Sequence, residues 1–327
     1  MKKNIALITG GYSGESVISY KSAETIFNNI DHAKWSCFLV DIHPDGWFYK
    51  GEDGVKYLID KNDFSIPLPS GKVNFEAILV GLHGTPGEDG KLQGYFDCLH
   101  IPYTTCSAAV SALTFNKRYT VAVAAFAGIP VAKSVHLFRE SIITSGSILS
   151  SLKLPVFVKP NNGGSSIGMS KVMREEDLEE ALCKAFKEDS QVLVEEFIEG
   201  RELTIGVFKS KGEIITLPIT EIISKKDFFD YEAKYEGASD EITPAQVDES
   251  IAEAVRQIAI KAYEVFDCNG IVRIDFIFDK FKNEPVMLEI NTVPGQSAAS
   301  LVPQQVVAMG WTLMEFYSAL IEECFTK

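Results

Sequence analysis

Short apolar runs stopped by glycine set the rhythm of the first third of the chain. Residues 4–9 form one such run, which ends in Gly10-Gly11, and the pattern predicts a buried parallel strand turning tightly into a helix. Residues 35–41 repeat the strand signal. Residues 75–83 give it a third time, and Gly84, Gly87 and Gly90 follow. Strands separated by helix-length segments imply βαβ units, so residues 1–104 read as an open parallel α/β domain.

The pattern then changes. Residues 107–127 have helical periodicity, 155–159 form a strand that runs into the polar loop 160–168, 177–186 an amphipathic helix and 192–195 a strand, which together predict a second unit over 105–195. The third unit, 196–327, begins with strands at 202–208 and 214–222. A polar stretch without apolar periodicity follows at 224–240, long enough to read as a lid. A helix is expected over 244–266, a hairpin from strands 272–278 and 286–290, and a final helix from the three- and four-residue steps of Val306, Met309, Leu313, Phe316 and Leu320. The fold class is therefore mixed, α/β followed by α+β.

Composition adds limits. At 327 residues and 46% hydrophobic, the chain can bury a large core shared among about two to three domains. A net charge of −14 argues against nucleic acid and anionic membranes as partners. The start Met1-Lys2-Lys3 could open a signal peptide, but the apolar run at 5–8 is too short, and no stretch could span a bilayer, so the expected compartment is the cytoplasm. The six cysteines (37, 98, 106, 183, 268 and 324) form no CxxC pair and read as buried or half-buried free thiols.

Several residue sets carry candidate chemistry. Arg273 and Asp275 share one face of a strand, as do Glu289 and Asn291 of the next. If the strands pair, two carboxylates and an amide oxygen converge as hard ligands for Mg²⁺ beside a guanidinium. The same residues also fit a solvated sheet face with a surface ion pair. Ile274, Phe276, Leu288 and Ile290 are expected on the opposite, apolar face. The loop 161–168 after Lys159 is glycine- and serine-rich; it suits phosphate binding or an ordinary flexible hairpin. The acidic bend at 194–202 could meet an adenine edge and a ribose, or simply face water. Gly10-Gly11 lacks the dinucleotide-binding spacing, which leaves Asp41 without that role, and Glu15 at a helix start reads equally as a cap. His83 stands at the carboxyl end of a strand, where ligands bind in open sheets.

Taken in order, these strings resemble the D-alanine–D-alanine ligases. The resemblance rests on His83-Gly84 with Gly87-Glu-Asp-Gly90 and Leu92-Gln-Gly94, Lys159-Pro160 with Gly164-Ser-Ser-Ile-Gly-Met-Ser-Lys171, Asp230-Tyr-Glu-Ala-Lys-Tyr235, Arg273-Ile-Asp275, and Glu289-Ile-Asn-Thr292 with Pro294-Gly295. It implies a two-subdomain ATP-grasp fold after the N-terminal domain, and a reaction in which ATP phosphorylates one D-alanine and the amine of a second attacks the acyl phosphate. It also implies roles. Lys117 and Lys159 hold the ATP phosphates under the 161–168 loop with Ser166. Glu195, Glu196, Phe197 and Ile198 frame adenine, and Glu202 takes the ribose. Asp275, Glu289 and Asn291 bind two Mg²⁺ ions, with Mn²⁺ as a substitute. Lys234 reaches the transferred phosphate, and Arg273 with the Gly295 amide stabilises the oxyanion. Glu15, in a set with Ser165 and Tyr235 and with His83 nearby, binds the first D-alanine, and Ser300 and Leu301 bind the second carboxylate. The assembly it suggests is a homodimer. Val17, Gln296 and Ala299 depart from residues common in the family, the last two beside the expected acceptor site. Alternatives kept open are a same-fold ligase making D-alanyl-D-lactate or D-alanyl-D-serine, and a nucleotide-binding regulator without turnover.

Overall fold

The computed structural model describes residues 2–141, 144–164, 167–224 and 239–326. Its first part comprises β1 (Lys3–Gly10), α1 (Ser16–Asn29), β2 (Trp35–His43), β3 (Gly46–Lys50), β4 (Lys56–Leu58), β5 (Ile66–Leu68), β6 (Gly71–Val73), β7 (Ala77–Val80) and α2 (Lys91–Cys98). β1 pairs in parallel with both β2 and β7, as the glycine-terminated runs predict. From Ile5 to Ile8 β1 is buried, as fits a strand covered on both faces. Two unanticipated strands, β3 and β4, extend the sheet antiparallel to give the order β4-β3-β2-β1-β7.

The helix expected across 107–127 is two: α3 (Ala108–Phe115) and α4 (Lys117–Phe126). Asn116 between them is extended, and its side chain accepts from the Tyr119 amide at 3.2 Å. An asparagine oxygen competes with the helical ladder and so ends one helix while capping the next. Next come β8 (Ser134–Phe138), α5 (Ser145–Leu149), β9 (Val156–Pro160), β10 (Ser170–Val172), α6 (Leu178–Glu188) and β11 (Gln191–Glu196), with a sheet of order β10-β9-β11-β8 backed by α6.

The last part holds β12 (Gly200–Ser210), β13 (Glu213–Thr216), β14 (Thr220–Ser224), β15 (Ser239–Ile242), α7 (Glu249–Val265), β16 (Val272–Asp279), β17 (Glu284–Asn291), α8 (Leu301–Ala308) and α9 (Leu313–Glu323). The single strand expected at 214–222 is divided into β13 and β14, which pair with successive stretches of the long β12. α7 begins at Glu249 rather than 244, because Asp248 is still extended. The final helix is broken where Gly310 takes φ +90°, and a Thr312–Glu315 capping box starts α9. α7 covers one face of the third sheet through Val255, Ala259 and Tyr263. Val306, Phe316 and Leu320 from the last two helices instead pack with Ile5, Leu7 and Ile26 of the first part, so the chain's end is sealed onto its beginning. Cys98 and Cys183 are exposed, against the expectation that all six thiols are at least half-buried, and the six are free. Among the described residues, no helix is long and apolar enough to cross a membrane.

The junction between α8 and the third sheet depends on one buried amide. Gln305, fully buried, accepts from the Gly206 amide at 3.0 Å and donates to the Thr204 carbonyl at 3.1 Å and the Thr220 hydroxyl at 3.0 Å. Gln305→Leu leaves these partners unsatisfied and is expected to lower unfolding free energy by about 3 kcal/mol, which equilibrium urea denaturation measures.

Candidate active site

The hairpin β16–β17 forms as its sequence predicts. Arg273 lies opposite Asn291, and Asp275 opposite Glu289. A β-bulge follows, because Asp275 pairs with Glu289 while Phe276 pairs with Met287. The extra residue is Leu288. The one-residue slip turns Leu288 out of the core into the cleft, correcting the expectation that it shares the apolar face with Ile274, Phe276 and Ile290. Met287 takes the core position in its place.

Asp275 is nearly buried and fully engaged. It accepts two bonds from the Arg273 fork (2.9 and 2.8 Å) and one from the Asn291 amide (3.1 Å), and the Thr204 hydroxyl donates to it as well. Burial alone would weaken the charge on Arg273, but Asp275, Glu289 and Glu88 outweigh it and push its pKa further up. Glu289 faces Lys117, the first residue of α4, at 3.9 Å, and the Lys117 ammonium also donates to the Gly163 carbonyl at 2.8 Å. The glycine-rich loop is thus tied to the carboxylate hairpin through one lysine.

These groups line a cleft of about 980 Å³ between the second and third sheets, which reaches the carboxyl ends of β1 and β7. Lys159 on β9 and Glu195 on β11 point to the same face as diagonal neighbours and form an ion pair. The Glu196 amide donates to the Lys133 carbonyl and its carboxylate accepts the Lys133 amide, which ties the end of β11 to the residue before β8. The Phe197 ring lies against Phe157, centroids 6.0 Å apart, under the Lys171 ammonium at 4.2 Å. Ile198, Ile277 and Leu288 line this end with apolar side chains, and Glu202 adds a carboxylate.

At the other end, Glu15 occupies the N-cap position of α1 but makes no side-chain cap bond. The capping reading is therefore set aside: the carboxylate turns to the cleft, where Ser13 donates to it at 3.5 Å. His83 is buried with both ring nitrogens engaged. Nδ1 donates to the Val293 carbonyl (2.8 Å), so Nε2 accepts from the Ser22 hydroxyl (2.8 Å). Burial pushes its pKa down to about 4; Arg273 adds to this, and the Val293 bond opposes it only in part. Ser22 also receives the Gln296 amide at 3.1 Å, and Glu88 receives the Val293 amide at 3.3 Å. The chain after β17 is thus gripped by three side chains from the first part of the molecule. It then passes Gly295, where a methyl would stand 2.7 Å from the Ser300 hydroxyl, to Ser300 and Leu301 at the start of α8.

Each expected site residue that is described (Glu15, His83, Lys117, Lys159, Glu195, Glu196, Phe197, Ile198, Glu202, Arg273, Asp275, Glu289, Asn291, Gly295, Ser300 and Leu301) lines this one cleft. Ser165, Ser166, Lys234 and Tyr235, and most of the expected 224–240 lid, lie outside the described residues. Ala299 faces the cleft, but the Gln296 side chain does not: it is buried behind the wall, with its oxygen accepting from the Tyr317 hydroxyl at 3.2 Å. The Gln296 side chain therefore supports the loop after β17 from behind rather than lining the cleft. Four cleft carboxylates, Glu24, Glu88, Glu221 and Glu241, carry no sequence-based role. Glu88 sat within a motif whose glycines drew the attention, and Glu241 on β15, whose pKa burial raises against the opposing pull of Gln304 and Arg273, had no local signal.

Comparison with known proteins agrees with this geometry. A family model described as D-ala D-ala ligase N-terminus matches residues 4–106, and one described as D-ala D-ala ligase C-terminus matches residues 123–322. A D-alanine–D-alanine ligase of Flavobacterium johnsoniae is 44% identical over 320 residues, covering 98% of each chain. Among solved structures, D-alanyl-alanine synthetase A from Vibrio cholerae superposes with a TM-score of 0.89 at 26% identity, covering 100% of this chain and 99% of that one. The VanG D-Ala:D-Ser ligase from Enterococcus faecalis gives 0.88 at 29%, covering 99% and 100%.

The held imidazole has a pH consequence. The unfolded chain binds a proton at His83 near pH 6.5 that the folded chain refuses until about pH 4, so this residue lowers stability as pH falls through that window. Nitrogen-15 NMR of the ring is expected to show a neutral Nδ1–H tautomer from about pH 5.5 to about pH 8; titration near pH 6.5 contradicts the arrangement.

Proposed function

The chain belongs to the D-alanine–D-alanine ligase family, with its ATP-grasp fold, and on that premise we propose how its cleft joins two D-alanines at the expense of ATP in peptidoglycan precursor synthesis. The observation that carries the reading is the convergence on one cleft of the Arg273–Asp275–Glu289–Asn291 hairpin, two lysines and a backbone loop at a helix start. A protein that only sensed nucleotide has no need of the oxyanion guanidinium or the acceptor end.

In this reading ATP lies between the second and third sheets. Adenine enters the slot formed by Phe197, Ile198, Ile277 and Leu288, with the Glu195–Ile198 edge beside it and Glu202 at the ribose. Lys117 and Lys159 meet the phosphates, with Ser166 and Lys234 as further contacts. Phosphoryl transfer needs positioning and charge neutralisation rather than covalent help, and these cations supply both. The donor D-alanine sits with its ammonium at Glu15, in a set with Ser165 and Tyr235, and its carboxylate oxygen attacks the γ-phosphorus as ADP leaves. The acceptor amine then attacks the acyl carbon. Arg273 and the Gly295 amide face the oxyanion, which collapses with expulsion of phosphate. Ser300 and Leu301 hold the acceptor carboxylate at the N-terminus of α8. His83 cannot serve as the base, since its acceptor nitrogen is occupied by Ser22; it positions the Val293–Gln296 loop instead.

Asp275, Glu289 and Asn291 offer only hard oxygen ligands, and the set fits Mg²⁺ or Mn²⁺, two ions in the family's scheme. When bound, these ions neutralise phosphate charge. The three parts at 1–104, 105–195 and 196–327 are proposed as the domains, with a homodimer in the cytoplasm, where ATP is supplied, as the working assembly.

Three measurements test this. ATP and D-alanine together should yield ADP and D-alanyl-D-alanine by mass spectrometry, and absence of turnover with D-lactate and D-serine added as well leaves only the nucleotide-binding reading. Glu289→Gln should cut turnover by about a hundredfold or more with an unchanged circular dichroism spectrum. With D-alanine and D-lactate supplied equally at neutral pH, the dipeptide should dominate, because Tyr235 stays neutral where a protonated histidine would disfavour an ammonium acceptor; a dominant ester sinks that assignment alone.

A further inference from the structure

Asn161 is buried at the root of the glycine-rich loop, one residue after β9. Its own amide donates to the Gln191 carbonyl at 3.0 Å, which extends the β9–β11 pairing by one step. Its carbonyl accepts from the Lys117 amide at 3.1 Å, and its Oδ1 accepts from the Arg118 amide at 2.8 Å. Lys117 and Arg118 are the first two residues of α4. A helix leaves its first four amides without partners inside the helix. In α4 all four are met, Lys117 and Arg118 by Asn161, Tyr119 by the Asn116 side chain at 3.2 Å and Thr120 by the Asn116 carbonyl at 3.0 Å. The helix start is thus saturated, and what it presents to the cleft is the Lys117 side chain. The Asn161 Nδ2 has no partner among the described residues. A side chain buried with an idle donor is held for its acceptor, and the Arg118 N–H requires that the oxygen face it. On the other flank, the Asp189 carboxylate accepts from both the main-chain amide (2.7 Å) and the side-chain amide (2.8 Å) of Asn162. The loop is therefore fixed at its root from two sides.

We propose that Asn161 is a positioning residue for the ligase reaction: by holding the start of α4 against the root of the glycine-rich loop, it sets Lys117 where it meets the ATP phosphates. The assignment deepens the reading of Lys117 as a phosphate contact and rests on it. Lysine is a point charge on a flexible four-carbon stem, so its head is only as well placed as its backbone. Asn161 fixes that backbone at two successive amides. The same stretch of chain also meets the other end of the side chain, since the Lys117 ammonium donates to the Gly163 carbonyl at 2.8 Å. A lysine clasped at its amide by Asn161 and at its ammonium by Gly163 moves with the segment that holds it. Loop and cation then approach the phosphates as one unit, and the stem is ordered before the nucleotide arrives, which lowers the entropy cost of binding.

Calorimetric titration of the full-length protein with a non-hydrolysable ATP analogue and Mg²⁺ tests this as a double-mutant cycle. Asn161→Leu, which keeps the volume and removes the acceptor oxygen, is expected to weaken analogue binding about tenfold. Lys117→Ala should weaken it at least as much, and the double variant no further than Lys117→Ala alone, because Asn161 acts through that lysine. Additive losses, or an Asn161→Leu variant that binds like wild type, overturn the proposal. An asparagine that served only the fold would lower the melting temperature and leave the affinity of the folded protein unchanged. Hydrogen exchange of the wild type needs no variant to fold. First-turn amides commonly exchange freely, but those of Lys117 and Arg118 are expected to be protected in the ligand-free protein as well as that of Thr120. Free exchange at these two amides also overturns the proposal. Lys117→Ala separates the two levels: if it binds the analogue like wild type, the phosphate role of Lys117 itself fails, and the positioning role falls with it.

Discussion

Arg273 and Asp275 form a two-point ion pair that is nearly buried at the floor of the cleft, and the active end is organised around it. A buried pair is weakly favourable at best unless its remaining hydrogen-bonding capacity is met. Here Asn291 and Thr204 meet it for Asp275, while Glu289 and Glu88 add negative charge around the guanidinium. The result is a cation that keeps its proton and is fixed in orientation at the cleft floor. Its cost is a concentration of carboxylates, which Lys117 beside Glu289 and Lys159 beside Glu195 offset in part.

The second constraint is the grip of the first part of the chain on the loop after β17. His83 holds the Val293 carbonyl, Glu88 the Val293 amide and Ser22 the Gln296 amide. These bonds join elements more than two hundred residues apart and fix the loop that carries Gly295. The apolar seal of α8 and α9 against β1 and α1 adds a broad contact beneath it. Histidine here serves geometry. With burial and two satisfied nitrogens, the ring is kept neutral and oriented, a role that its place beside a glycine-rich loop did not reveal.

Much of this was legible in the chain itself, because short-range physics decided it. A glycine-terminated apolar run is a buried parallel strand wherever it is placed, and β1, β2 and β7 show that. Period-two spacing put Arg273 with Asp275, and Glu289 with Asn291, before any pairing was known, and the hairpin brought the two pairs face to face. The motif order was specific enough to imply the family and the residues of the cleft.

Tertiary structure alone decided what depends on contacts distant in sequence. The bulge after Asp275 sends Leu288 to the cleft, since one extra residue inverts the alternation and no local propensity records it. Asn116 and Gly310 divide helices whose apolar periodicity runs on through them, because capping and a left-handed turn outweigh periodicity at a single residue. Gln296 proved to lie behind the cleft wall, Glu15 to make no side-chain cap bond, and Glu88 to accept from the Gly84 amide. Each of these depends on where a side chain points within a packed interior. Residue spacing carries faces and periods; burial, charge coupling and the partner of each polar atom exist only once the chain has closed on itself.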